Sequence, residues 1–217
     1  EVVSYFRLIA DEPDKTFLPD TAIIPLLKVA HARYHRLITD INDKAFLTHW
    51  DITSPSQTTD LTVAPNNLMD PSTATWDNNN KRLVRLNSVS SVSVSAGTTT
   101  FLFTFDAAQD TTELAQSGQL LYSLQDKKLV FNTFWNTASV QTLRLYYTYY
   151  PYIDFTKINT GDNEVIDEFD ELHDIIALLM YKQYAIKDVA LNAAAEQQLA
   201  MRIVDLQSYF AQGQTFQ

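Results

Sequence analysis

Apolar positions recur at helical spacing at both ends of this chain and alternate with polar ones through its middle. Near the start, Val2, Phe6 and Ile9 share one helical face, and Pro13 closes that short segment. A second helix is predicted next, with Asp20 as candidate N-cap and Ile23, Leu27, Ala30, Tyr34, Leu37 and Ile41 along one face, widened by Leu26 and Ile38. Pro25 sits near its first turn, where a missing N–H is tolerated. About twenty residues at 1.5 Å each give a rod of ~30 Å.

From Thr53 to about Tyr150 the period changes to two, and the composition shifts to Ser, Thr, Asn and strand formers. Phe101, Phe103 and Phe105 alternate with Leu102 and Thr104, and Val92 and Val94 alternate with serines. Leu120–Leu124 and Lys128–Phe131 flank Gln125-Asp126-Lys127, which reads as a tight hairpin connection. The clearest strand is Thr142–Tyr150: Leu143, Leu145, Tyr147 and Tyr149 face one side, Arg144, Tyr146 and Thr148 the other, and Pro151 ends it. Pro55, Pro65, Pro71 and Asp77-Asn78-Asn79-Asn80 mark turns and exposed loops. Six or seven short antiparallel strands are expected, arranged as a small sandwich or open barrel.

Helical spacing returns after a break at Thr160-Gly161-Asp162. Val165, Phe169, Leu172, Ile176, Leu179 and Gln183 trace one stripe, broadened by Ile166, Ile175 and Met180. Asp162, Glu164, Asp167, Glu168, Asp170, Glu171 and Asp174 crowd its start and Lys182 and Lys187 its end, the order that complements the helix macrodipole. Asn192 is a candidate cap for a last helix bearing Ala195, Leu199, Ile203, Leu206 and Phe210 on one face, followed by a loose tail over Ala211–Gln217. Two helices alone make a poor core. The expectation is therefore an α+β chain: a four-helix bundle of N- and C-terminal helices (1–52 and 158–217) interrupted by an inserted antiparallel β domain (53–157).

Charge narrows the function. The 217 residues carry a formal charge of −10, and from residue 159 onward ten acids face three bases. Counterion release on phosphate needs clustered Lys and Arg, so general affinity for DNA, RNA or anionic lipid is disfavoured. Cysteine is absent, which removes disulfides, thiolate zinc sites and cysteine nucleophiles. No apolar run approaches the ~20 residues of a membrane-spanning helix, so a soluble protein is expected. The opening Glu1 lacks the basic-then-apolar order of a signal peptide, and a first residue other than methionine suits a processed or trimmed product.

Candidate chemistry is sparse. His31 and His35 lie four apart on one helix and can reach one metal ion together, but Lys28, Arg33 and Arg36 surround them and no third ligand has a fixed spacing. A solvated polar helix face is the expectation there. Asp167, Glu168, Asp170, Glu171 and Asp174 have helical spacing rather than that of a calcium loop, and read as an acidic helix entry. The serine-rich runs contain no nucleophile elbow, the β region has no histidine, and four scattered glycines build no phosphate loop. Neither a catalytic residue nor a cofactor or metal site is assigned. Trp50, Trp76 and Trp135, with the tyrosines of Tyr146–Tyr152, suit strand core and interfaces better than a sugar-stacking platform.

The order of these elements resembles the adaptor, or head-completion, proteins beneath the portal of tailed bacteriophages, including the tail tubular gatekeeper type. The resemblance spans nearly the whole chain. It rests on Phe17-Leu18-Pro19-Asp20 before a helix containing Ala30-His31-Ala32-Arg33-Tyr34, on the strand Arg144-Leu145-Tyr146-Tyr147-Thr148-Tyr149-Tyr150-Pro151, and on Ile166-Asp167-Glu168-Phe169. It implies a non-enzymatic virion protein, assembled in the host bacterial cytoplasm and forming a ring, commonly of twelve copies, between portal and tail. DNA would pass through transiently without specific binding, and no membrane partner is implied. Within it, Asp167, Glu168, Glu171 and Asp174 become candidate channel-facing or interface acids. Phe210 and Phe216 become a candidate portal-docking tail, and the β insertion would meet a downstream tail or nozzle protein. The rival reading is a carbohydrate- or partner-binding β-sandwich on a helical base. A third, a histidine–carboxylate metalloenzyme, requires His31 and His35 to meet an acid.

Overall fold

The computed structural model describes residues 1–11, 18–53, 55–63, 66, 68–69, 81–95, 97–108, 113–114, 120–132, 142–151 and 169–213. The chain is α+β: among the described residues it has four helices and a curled, mixed seven-stranded sheet resembling half a barrel. It divides into two compact units, one of residues 1–45 and 153–217, the other of residues 46–152.

In the helical unit, α1 (Val2–Ile9) buries Val2 and Phe6, as its spacing predicts. Arg7, also buried, donates to the Leu18 carbonyl at 2.8 Å and to Asp20 at 2.7 Å. This ties α1 to the start of α2 (Asp20–Ile41). Asp20 is thus the first helical residue and an ion-pair partner; Pro19 holds the cap position. The third helix, α3 (His173–Tyr184), follows a 3-10 turn, Asp170–Leu172, and packs on α1, on α2 and on the last helix, α4 (Val189–Gly213). Because it has neighbours on three sides, the six consecutive residues Ile175–Met180 are all buried. That is the signature of an interior helix, where a single stripe was expected. Phe6 meets Tyr184 edge-on at 6.0 Å, and Tyr34 meets His173 at 6.3 Å.

The entry to α4 corrects another expectation. Asp188 has an extended backbone and accepts the Leu191 N–H at 3.0 Å, so it is the cap. Asn192 lies inside the helix and donates its amide to the Lys182 carbonyl at 3.1 Å, satisfying an orphan carbonyl at the end of α3. Helix α4 runs to Gly213, past the predicted start of the loose tail, because nothing before that glycine disfavours helix. Of the seven acids expected at the helix entry, Asp162, Glu164, Asp167 and Glu168 lie outside the described residues, as do the break at 160–162, Pro13, Pro65, Pro71 and 77–80.

The sheet runs β1 (Leu47–Thr53), β7 (Thr142–Pro151), β3 (Lys81–Ser95), β4 (Thr98–Ala107), β5 (Leu121–Gln125), β6 (Lys128–Phe131), β2 (Thr58–Asp60). Strand β7, paired with β1 on one side and β3 on the other, buries Leu143, Leu145, Tyr147 and Tyr149, the face that alternation predicts. Strand β1 starts before the expected boundary at residue 53 and pairs with β7 along its whole length. The sheet is not purely antiparallel: Asp106 and Ala107 of β4 pair in parallel with Leu121 and Tyr122 of β5. A parallel pair needs a crossover of a dozen or more residues, which the segment 108–120 supplies. Strands β5 and β6 meet through a two-residue turn in which Asp126 and Lys127 have φ of 47° and 63°. Both central residues of a type I′ turn take such values, matching the twist of the strands. The core between strands is aromatic, with Phe105 packed on Phe131 at 4.9 Å and Phe46 on Tyr149 at 5.5 Å.

Candidate interaction surfaces

The two described candidate acids sit where α3 begins. Asp174 occupies its first turn, and Arg202 of α4 donates to both of its carboxylate oxygens, from Nε at 2.7 Å and from Nη2 at 2.9 Å. The same guanidinium reaches the Glu171 carbonyl at 3.2 Å and Asp205 at 2.9 Å. Acceptance by these carboxylates raises the Arg202 pKa beyond its ordinary value. The fork–fork geometry makes Asp174 a tie between helices within its own unit. Its charge is balanced locally, which removes it from any field of free carboxylates. Glu171 is exposed in the 3-10 turn, and it holds the Tyr209 phenol protonated to higher pH, an effect second to partial burial of that ring. Asp167 and Glu168 lie outside the described residues.

Glu171, His173 and Asp174 border a groove of about 530 Å³ whose other wall is α1, with Val2, Tyr5 and Leu8. Its lining is mainly apolar, and one of its acids is already neutralised by Arg202. The arrangement suits packing more than acid–base chemistry.

Phe210, a candidate docking residue, is part of α4 and is buried, edge-on to Phe169 at 5.5 Å. It fastens the end of α4 to the residue just before the 3-10 turn that leads into α3; Phe216 lies outside the described residues. The histidines also differ from expectation. His31 and His35 are buried in the stripe that includes Leu27, Ala30, Tyr34 and Ile38. Their spacing carried the signal: His31 follows Leu27 by four and His35 precedes Ile38 by three, so both share the core face. Lys28, Arg33 and Arg36 point the other way, to solvent. Among the described residues no group of three or more His, Asp or Glu is placed to hold a metal ion.

In the sheet unit Trp50 is half-buried, and its Nε1 donates to Asn66 at 3.4 Å, so its indole is a packing element; Trp76 and Trp135 lie outside the described residues.

Two places concentrate exposed apolar side chains, and composition alone singled out neither. On α4, Val189 is 86% exposed, Val204 60% and Met201 56%. On the hairpin of β3 and β4, Phe101 is 56% exposed, with Val94 and Leu102 about half exposed. Between Arg85 and Asp106 that hairpin contains no charged residue. At its bulge Ser91 pairs with Phe103 and Val92 with Phe101, which leaves Leu102 as the extra residue and turns Phe101 and Leu102 outward together. Adjacent exposed apolar side chains, as Phe101 and Leu102 are, are the kind of feature that marks an interaction surface. Among the described residues no helix is long and apolar enough to cross a membrane. Comparison with protein-family models and with curated proteins found no match.

Proposed function

We propose that this chain is a structural virion protein, a subunit of the adaptor ring that links portal to tail in a tailed phage and lines part of the DNA channel. The observation that supports this reading is the pair of apolar surfaces, one on each compact unit. A linker between two layers of an assembly needs contacts of two kinds, to its own copies and to the next layer. In this reading the four helices act as one bundle that builds the ring, in the virion assembled within the host bacterium. The uncharged β3–β4 hairpin meets the tail or nozzle protein, and DNA passes without being held, as a chain with a formal charge of −10 favours.

The test is binding of purified chain to purified portal and to tail nozzle protein from a short-tailed phage. Phe101→Ser with Leu102→Ser is expected to weaken nozzle binding at least tenfold while portal binding and thermal stability hold, because both side chains are exposed. Absence of binding to either partner overturns the reading. A glycan array gives the carbohydrate-binding rival its opportunity: saturable binding of an oligosaccharide by the unmodified chain would favour that rival.

A further inference from the structure

Strand β4 is paired along one side and open along most of the other. Thr98–Phe105 lies against β3, whereas the second edge of the strand meets β5 only at Asp106 and Ala107. Among the described residues no strand pairs with the second edge of Thr98–Thr104. Phe101 and Leu102 are 56% and 50% exposed there, with Phe101 stacked on Tyr146 of β7 at 6.5 Å. An open edge presents a row of N–H and C=O groups, and proteins ordinarily guard it with charge, proline, a bulge or a short strand. The two outer strands of the sheet are guarded in this way: β2 has three residues and ends in Asp60, and β1 carries Asp51. Thr98–Thr104 has neither charge nor proline, and its bulge turns Phe101 and Leu102 outward.

The sequence of that edge is its own complement. Thr100-Phe101-Leu102-Phe103-Thr104 reads the same in both directions. An antiparallel copy centred on Leu102 therefore sets Leu102 against Leu102, each Phe101 against a Phe103 and each Thr100 against a Thr104. Aromatic and threonine pairs are favourable cross-strand neighbours, and like charges directly opposite are unfavourable ones. The chain carries a formal charge of −10, so two copies repel one another at long range. Between Arg85 and Asp106 no charge opposes their approach.

We propose that β4 pairs antiparallel with β4 of a second copy about a two-fold axis at Leu102, joining the two sheets edge to edge. A two-fold contact closes at a dimer, so it is not the contact that closes a ring. It belongs to the free chain and goes beyond the ring reading, in which the same hairpin meets the next layer after assembly. A seven-residue edge is a small interface, and a micromolar dissociation constant is expected.

Sedimentation equilibrium of the full chain from about 1 to about 100 µM reads the association. The expected result is a shift from 24.7 kDa to twice that mass, with slower hydrogen exchange at the Thr98–Thr104 amides. Leu102→Lys sets two ammonium groups face to face and should weaken the pair at least tenfold at an unchanged melting temperature, since the side chain is half exposed. The chain has no cysteine, so single ones report the register. Leu102→Cys should link to itself on oxidation, because directly opposite Cα atoms stand about 4.5–5.5 Å apart. Thr100→Cys should link to Thr104→Cys in a mixture and not to itself, its own copies being ~14 Å apart. A monomer throughout the range, a dimer indifferent to Leu102→Lys, or self-linkage of Thr100→Cys as ready as that of Leu102→Cys overturns the pairing. Portal binding by the same chain separates the two readings: its retention beside a failed dimer leaves the ring standing.

Discussion

The helical unit and the sheet unit solve the same packing problem by different means. In the helices, charged side chains cross from element to element: Arg7 joins α1 to α2, Lys182 joins α3 to Glu196 of α4, and Arg202 holds the start of α3. In the sheet the ladder of backbone hydrogen bonds already fixes the order of strands. Its described side-chain ion pair is Arg144–Asp51, between residues directly opposite on β7 and β1. Helices have no backbone bonds between them, so specificity of pairing has to come from side chains. Each unit nevertheless has one element poor in charge: α4 has three charged residues among its 25, and the β3–β4 hairpin has none between Arg85 and Asp106.

Core truncation should show the largest difference between the units. Phe131→Ala removes a ring at the centre of the strand packing and is expected to cost about 3–5 kcal/mol. Ile176→Ala, on the interior helix, should cost about 2–5 kcal/mol. If the units are independent, chemical denaturation followed by circular dichroism shows each variant lowering only its own transition. A single transition shifted equally by both would break the distinction.

The ion pairs come next. Asp51→Asn leaves Arg144 without a carboxylate at a site where the arginine side chain is only 13% exposed, and about 2 kcal/mol should be lost from the sheet. Asp174→Asn, at the more open Arg202 site, should cost the helices about 1 kcal/mol. Equal losses would contradict the idea that burial sets the difference; urea midpoints at constant m decide it.

Removing the cap of α4 with Asp188→Ala should cost about 1 kcal/mol and lower helicity without touching the sheet transition. The smallest effect is acid sensitivity at Asp60. The Thr62 hydroxyl, then the Thr62 N–H, donate to its carboxylate and hold its pKa below the ordinary 3.8. A lowered folded-state pKa stabilises above the unfolded value and loses that contribution as pH falls through the folded one. Between about pH 5 and about pH 2 the unmodified sheet should therefore lose slightly more stability than the Asp60→Asn variant. Identical acid profiles would remove Asp60 from the account.

What was legible in the sequence was periodicity. Alternation in Thr142–Tyr150 predicted the buried face of β7, and the spacing of Ile23, Leu27, Ala30 and Tyr34 predicted most of the α2 core, because each pattern reports a single face against a single neighbour. Patterns with more than one neighbour misled. Ile175–Met180 is buried all round, so no stripe could describe it, and His31 and His35 looked polar although they hold core positions. Asn192 has good cap chemistry but acts on the carbonyl of the preceding helix, a partner ten residues back in sequence. The parallel meeting of β4 and β5 depends on a crossover whose path no local pattern encodes. The interaction surfaces were the least legible. Exposure of Val204 or Phe101 is a property of the fold, and only the absence of charge between Arg85 and Asp106 was visible beforehand.

The central claim is a structural subunit built to repeat around an axis. Electron micrographs of the purified 24.7 kDa chain, alone and with a portal, test it most directly. The account predicts closed, rotationally symmetric rings with an open centre, on the free chain or on the portal. Isolated single subunits in both samples, at concentrations where the chain is folded, would contradict it.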